Sequence, residues 1–155
     1  MIQRIQSVYL LLTTLLSALF LKGNFLKFID NEGSRIIVNF TGIYKVTGDK
    51  GFDLIEKLLP LSIIFILIPV ISVLAIFLYK NRKLQLKITL ILIIISIVLI
   101  AISTYYGISL MNSYHASFFP GIKVFVPFLV LVLTILAYRG IKKDEALVKS
   151  YDRIR

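Results

Sequence analysis

ITLILIIISIVLIAISTYY, residues 88–106, runs for nineteen positions without a charge, a proline or a glycine. Wound as an α-helix at about 1.5 Å per residue, it is roughly 28 Å long. That is close to the ~30 Å hydrocarbon thickness of a bilayer. Apart from its terminal tyrosines, its polar side chains are Thr89, Ser96, Ser103 and Thr104. These are too few for the polar stripe of a helix that faces water. A helix that is apolar all round belongs in a core or in lipid. Three more apolar stretches of this kind share a chain of 155 residues, too short a chain to bury them all in a water-soluble core.

The fold class expected is therefore an all-α membrane protein. It is a four-transmembrane-helix bundle with a small β-hairpin in the first extracytoplasmic loop. The spans fall at about 5–21, 58–79, 88–110 and 122–138, in a single integral membrane domain covering 1–155. Composition agrees. The chain is 58% hydrophobic yet carries a net charge of +10, and the two properties are segregated along it. Basic residues sit in short segments beside apolar runs. Positive-inside topology explains such a distribution, and no nucleic-acid partner is needed. The absence of cysteine removes disulfides, thiolate catalysis and zinc–thiolate sites.

The first run opens after Arg4, as a secretory signal does, but Lys22-Gly23-Asn24-Phe25 is a poor cleavage site. An uncleaved signal anchor is the better reading. Residues 22–57 form the extracytoplasmic loop and hold five of the eight acids. Within it, 25–30 and 34–46 read as the two arms of the hairpin. The turn Asp30-Asn31-Glu32-Gly33 joins them, and Ile36, Val38 and Phe40 alternate with Ile37, Asn39 and Thr41 at strand period. A second turn is expected over 47–51, after which Asp53 is expected to cap the approach to the second span. An isolated hairpin is marginal in water, so the loop is expected to pack on the helix ends or on a partner. In the second span Pro69 is interior and is expected to kink the helix. Residues 80–87 read as a basic connector, 111–123 as a nearly uncharged loop, and 139–155 as a cytoplasmic amphipathic tail that continues as a helix.

Four spans put both termini on one side of the membrane. That side carries eleven basic residues (Arg4, Lys80, Arg82, Lys83, Lys87, Arg139, Lys142, Lys143, Lys149, Arg153 and Arg155) against seven on the other. Both termini are therefore expected in the cytoplasm, with the chain multi-pass in its membrane.

The apolar runs hold no Asp, Glu or His, and Lys123 stands only at the loop end of the fourth. Ionisable residues at membrane depth mark ion paths, proton relays and intramembrane catalysis. Their lack argues against a transporter, a pump or an intramembrane protease. No catalytic residue, cofactor or metal ligand is assigned. Ser96 and Ser103, seven apart, share a helix face, and Ser103 with Gly107 makes a small-xxx-small pair. Ser96, Ser103 and Gly107 are thus the expected helix-packing seam. Lys142, Lys143, Leu147, Tyr151 and Arg153 are the expected contacts of the tail with anionic lipid or a cytoplasmic partner. The acids Asp144, Glu145 and Asp152 within that basic run favour a protein partner.

The opening residues 1–10, MIQRIQSVYL, and the closing residues 141–150, IKKDEALVKS, followed by Asp152-Arg153-Ile154-Arg155, resemble an uncharacterised family. It is a family of small four-helix inner-membrane proteins from Bacteroidota, catalogued only as a domain of unknown function. The resemblance extends over the whole chain in length and span order. It implies a bacterial cytoplasmic membrane and supplies no catalytic residues.

The function expected is that of a non-enzymatic accessory or scaffold subunit of an inner-membrane assembly. Its partners would be the lipid bilayer and other membrane proteins, as a hetero- or homo-oligomer. The alternative is a small lipid- or quinone-binding carrier, with a cleft opened at Pro69 and lined by hydroxyls. The third is an enzyme acting at the outer membrane–water boundary through His115 with Asp49 or Asp53.

Overall fold

Residues 88–106 lie within one 33-residue helix, α3 (Arg82–Tyr114). At about 1.5 Å per residue it is roughly 50 Å long, well beyond a ~30 Å hydrocarbon core. Its start is local chemistry: the Asn81 side chain accepts from the Leu84 N–H at 3.3 Å, an N-cap. Most of the expected basic connector is therefore the first two turns of α3, and the chain turns instead through a short 3₁₀ segment, Leu78–Lys80. The helix stops at His115, which is left-handed with φ 45° and so cannot continue it.

The computed structural model describes residues 3–21, 23–30, 34–47, 51–119 and 121–153. Around α3 stand α1 (Gln3–Phe20), α2 (Leu59–Phe77) and α4 (Val126–Arg153). Helix α1 packs against α2 and α4, and α3 against the same two. Neighbours run antiparallel: Gln6 near the start of α1 meets Asp144 near the end of α4, and Gln85 of early α3 meets Ala75 of late α2. Three helical stretches, Leu59–Lys80, Arg82–Tyr114 and Ile122–Val148, are long and apolar enough to cross a membrane. The apolar part of α1, Ile5–Phe20, is shorter. Helix α2 runs unbroken through Pro69, although that residue leaves the Phe65 carbonyl without its usual donor. The tail beyond 139 is helical, as α4 continues through it to Arg153.

The segment between α1 and α2 is richer than a hairpin, and the chain is mostly helical rather than all-α. Four strands, β1 (Leu26–Ile29), β2 (Arg35–Val38), β3 (Gly42–Thr47) and β4 (Gly51–Lys57), are joined by β5 (Ser117–Phe119). They form an antiparallel sheet in the order β4-β3-β2-β1-β5. The expected single arm over 34–46 is two strands, because the chain turns at Asn39, whose N–H donates to the Gly42 carbonyl at 2.9 Å. The segment expected to lead into helix past Asp53 is strand β4. Asp53 is exposed on it, and α2 begins instead at Leu59, with Leu58 at the N-cap position and no side-chain cap. Residues 31–33 and 48–50 of the two expected turns lie outside the described residues.

Alternation attaches the sheet to the helix ends. Leu26, Phe28, Ile36, Val38 and Ile43 are buried, while Lys27, Ile29 and Arg35 face out, as the period of two requires. Phe25, at the entry to β1, meets Phe20 of α1 and Phe65 of α2 at 5.1 and 5.7 Å between ring centres. Phe28 meets Phe118 of β5 at 5.4 Å. The Ser62 hydroxyl of α2 is shared between the carbonyls of Leu58 and Phe40, tying the helix to the β2–β3 turn. The loop packs on the helix ends, the first of the two possibilities raised by its small size.

Candidate functional site

Polarity among the helices is inverted relative to a water-soluble protein. The outward faces are apolar: Leu11, Leu15, Ile66, Val70, Ile94, Ile97, Leu129 and Val132 are all exposed. The buried faces carry Thr13, Ser17, Ser72, Thr89, Ser96 and Thr134. Hydroxyls away from water must find an acceptor, and most find one in their own helix. Thr13 donates to Tyr9, Ser17 to Thr13, Thr89 to Gln85 and Ser96 to Leu92, at 2.7–2.9 Å. Ser72 and Gln85 bond across helices: Ser72 donates to the Leu10 carbonyl at 2.8 Å, and Gln85 to the Ala75 carbonyl at 2.9 Å. Ser96 is thus a small buried side chain that leaves the neighbouring helix undisturbed. The residue that ties α2 to α1 is Ser72, which its sequence neighbours did not single out.

Ser103 and Gly107 sit differently from Ser96. Ser103 is 9% exposed, and its hydroxyl has no hydrogen-bond partner. Both residues line a recess of about 210 Å³ between α3, α4 and the underside of the sheet. Leu26, Phe28 and Phe118 form its sheet wall, with Pro127 and Phe128 from α4. At Gly107 a Cβ would make an ordinary 3.9 Å contact with Leu26 Cδ1, so only a side chain larger than alanine would fill this space. Pro69 is not among the lining residues.

At the far end of the helices is a polar cluster. Gln6 Nε2 donates to Asp144 Oδ2 at 2.6 Å with both side chains buried, and the Asp144 carbonyl accepts from Arg82 Nη1 at 3.1 Å. Gly140 makes room for Gln6 to cross, because a Cβ there would lie 2.8 Å from Gln6 Cγ. Asp144 therefore acts inside the chain, which removes one of the acids that had favoured a protein partner for the tail. Around this cluster Lys80, Lys83, Lys87, Arg139, Lys142 and Lys143 are exposed, and Leu147 is exposed one turn beyond Lys143. The side chains of Tyr151 and Arg153 lie outside the described set. Neither Gln6 nor Asp144 stands out in sequence as half of a pair, since 138 residues separate them.

This pair carries the first prediction. Gln6→Leu leaves the buried Asp144 carboxylate without its amide donor and should cost about 1–3 kcal/mol. The exposed Lys142→Leu should change stability by less than ~0.5 kcal/mol. Thermal unfolding of both variants in one detergent checks this. Equal midpoints would mean that the Gln6–Asp144 bond contributes nothing.

His115 caps α3 and leads into β5 on one edge of the sheet, while Asp53 lies on β4 at the other. Four strand spacings of ~4.8 Å put those edges roughly 19 Å apart, so the fold does not bring His115 and Asp53 together. Asp49 lies outside the described residues. Among the described residues no three His, Asp or Glu side chains gather as metal ligands would.

No curated protein and no solved structure matches the chain. The model of the family described as Domain of unknown function (DUF4293) matches residues 2–154, nearly the whole length, and the chain belongs to that family.

Proposed function

We propose that this chain is a four-span protein of a bacterial cytoplasmic membrane, with both termini in the cytoplasm, and that it serves as a non-enzymatic accessory or scaffold subunit of a membrane assembly. The observation that carries the reading is the inverted polarity of the helices. A continuous belt of exposed Leu, Ile and Val is untenable in water and is what lipid requires. Helix α1 joins the spans in this reading, because it packs between α2 and α4 and turns Leu11, Leu15 and Leu19 outward. Its short apolar length is made up by the sheet that rests on its end. The basic rim around Lys80, Lys83, Lys142 and Lys143 supports a cytoplasmic location for that end. The subunit role draws on the two ends of the molecule: a sheet with an exposed β4 edge on one side and a basic face on the other. A small lipid-binding protein is the second reading, and the recess beside Ser103 favours it.

The chain has no cysteine, so single-cysteine variants report topology without a background. A membrane-impermeant maleimide should label Thr41→Cys in spheroplasts, and Lys143→Cys only after permeabilisation. The opposite pattern overturns the orientation. For the subunit role, crosslinked material purified in mild detergent should carry a second protein or a second copy. A monodisperse single chain after crosslinking would overturn it.

A further inference from the structure

We propose that the recess beneath β1 and β5 holds one acyl chain of a membrane glycerolipid, with the Ser103 hydroxyl donating to an ester carbonyl oxygen of that lipid. This rests on the reading of the helices as membrane spans.

Ser103 is the starting point. On the same helix Thr89, Ser96 and Thr104 each donate to a carbonyl one turn back, all at 2.8 Å. A serine in a helix can satisfy itself this way at little cost. Ser103 does not, although it is nine-tenths buried, and an unpaired hydroxyl away from water is costly. It lines the recess, so an acceptor that enters the recess removes that cost.

The rest of the wall defines what can enter. The remaining lining is almost wholly apolar, and no charged side chain is part of it. A phosphate or other charged headgroup is therefore not what the recess takes. The volume, about 210 Å³, is below the ~300–1,000 Å³ usual for sites that enclose a whole small molecule. A hydrocarbon chain fits, with the body of its molecule outside. The recess reaches the surface at Ile108, Met111 and Phe128, exposed apolar lining residues at the sheet end of the apolar belt. What surrounds the belt is thus what meets the mouth. Depth agrees with an ester group. Tyr105, 69% exposed, adjoins this level of α3, and aromatic side chains of this kind collect at the membrane–water boundary. Glycerolipid ester carbonyls lie at the same boundary.

The test uses the full chain in nanodiscs containing a phosphatidylglycerol with a diazirine partway along one acyl chain. After photolysis, labelled residues are mapped by peptide mass spectrometry. Ile108, Met111 and Phe128 should carry several-fold more label than the belt positions Ile91, Ile94 and Val132. Gly107→Leu, which fills the recess, should reduce them to the belt level. Unlabelled competitor lipid separates the role of Ser103. An ester lipid should compete several-fold better than its ether analogue against the wild-type chain, and equally well against Ser103→Ala. This arm does not depend on the Gly107→Leu variant folding. Even labelling of recess and belt would overturn the site. Equal competition by ester and ether lipids on the wild type would overturn the role of Ser103. Absence of label from the belt would overturn the membrane reading itself, and the proposal with it.

Discussion

Phe28→Ala should destabilise the sheet by about 3–5 kcal/mol, the usual cost of removing a buried phenylalanine. Phe28 is 1% exposed and sits in β1, the one strand that pairs with both β2 and β5. Strand β5 has three residues, so its ladder alone holds it weakly. The Phe28–Phe118 contact at 5.4 Å is the apolar link that fixes it. The void left by the ring would open onto the recess beside Gly107 and could not collapse without moving the sheet. Hydrogen exchange measures the result. Amides of Leu26–Ile29 and Ser117–Phe119 should exchange roughly 100-fold faster or more, at about 1.4 kcal/mol per factor of ten, while the middle of α3 stays protected. Unchanged exchange in β5 would show that the strand is held by something other than this contact.

Ile97→Asp should have a comparable effect for an unrelated reason. Ile97 lies near the middle of α3 and is 51% exposed. On a water-soluble protein, an exposed isoleucine can become aspartate within about ±0.5 kcal/mol. At the centre of a lipid-facing helix, an aspartate costs about 2.5–3.5 kcal/mol on insertion scales. The variant therefore separates the two environments directly. Membrane fractionation and yield of the full chain are the readout, with the exposed Lys83→Asp as the control outside the apolar belt. A sharp loss for Ile97→Asp alone is expected. Normal yield and a water-soluble chain would overturn the proposed membrane location.

The long apolar elements were legible from residue order. Residues 88–106 are helical as expected, and the segregation of apolar runs from basic segments correctly anticipated helices long and apolar enough to span a bilayer. Inner and outer sheet positions were legible too: Ile36 and Val38 are buried, as strand alternation indicates. Errors arose where short local signals competed. Asn39 and Gly42 carry turn chemistry, but the apolar residues around them suggested one continuous arm. Residues 82–87 read as a linker because they are basic. Yet Leu84, Gln85 and Leu86 are ordinary helix formers, and Asn81 supplies the cap. Strand β5 was invisible, because three residues carry no period and its pairing with β1 spans some ninety positions of chain.

The candidate sites divide along the same line. Hydropathy and charge distribution are sums over consecutive residues, so order alone was enough for the helices and the polar and basic ends. Which hydroxyl is satisfied depends on neighbours that are distant in sequence. Ser96 and Ser103 look equivalent in the chain, seven residues apart on one face. They differ because Ser96 lies between packed helices with its bond made to Leu92, whereas Ser103 lies where the sheet folds back over Gly107 and leaves a gap. Asp144 looks like one acid in a basic tail, and becomes a buried acceptor because α1 brings Gln6 to it. Both outcomes come from long-range packing, in which a side chain's energy is set by the atoms that fold against it, and residue order does not record those atoms.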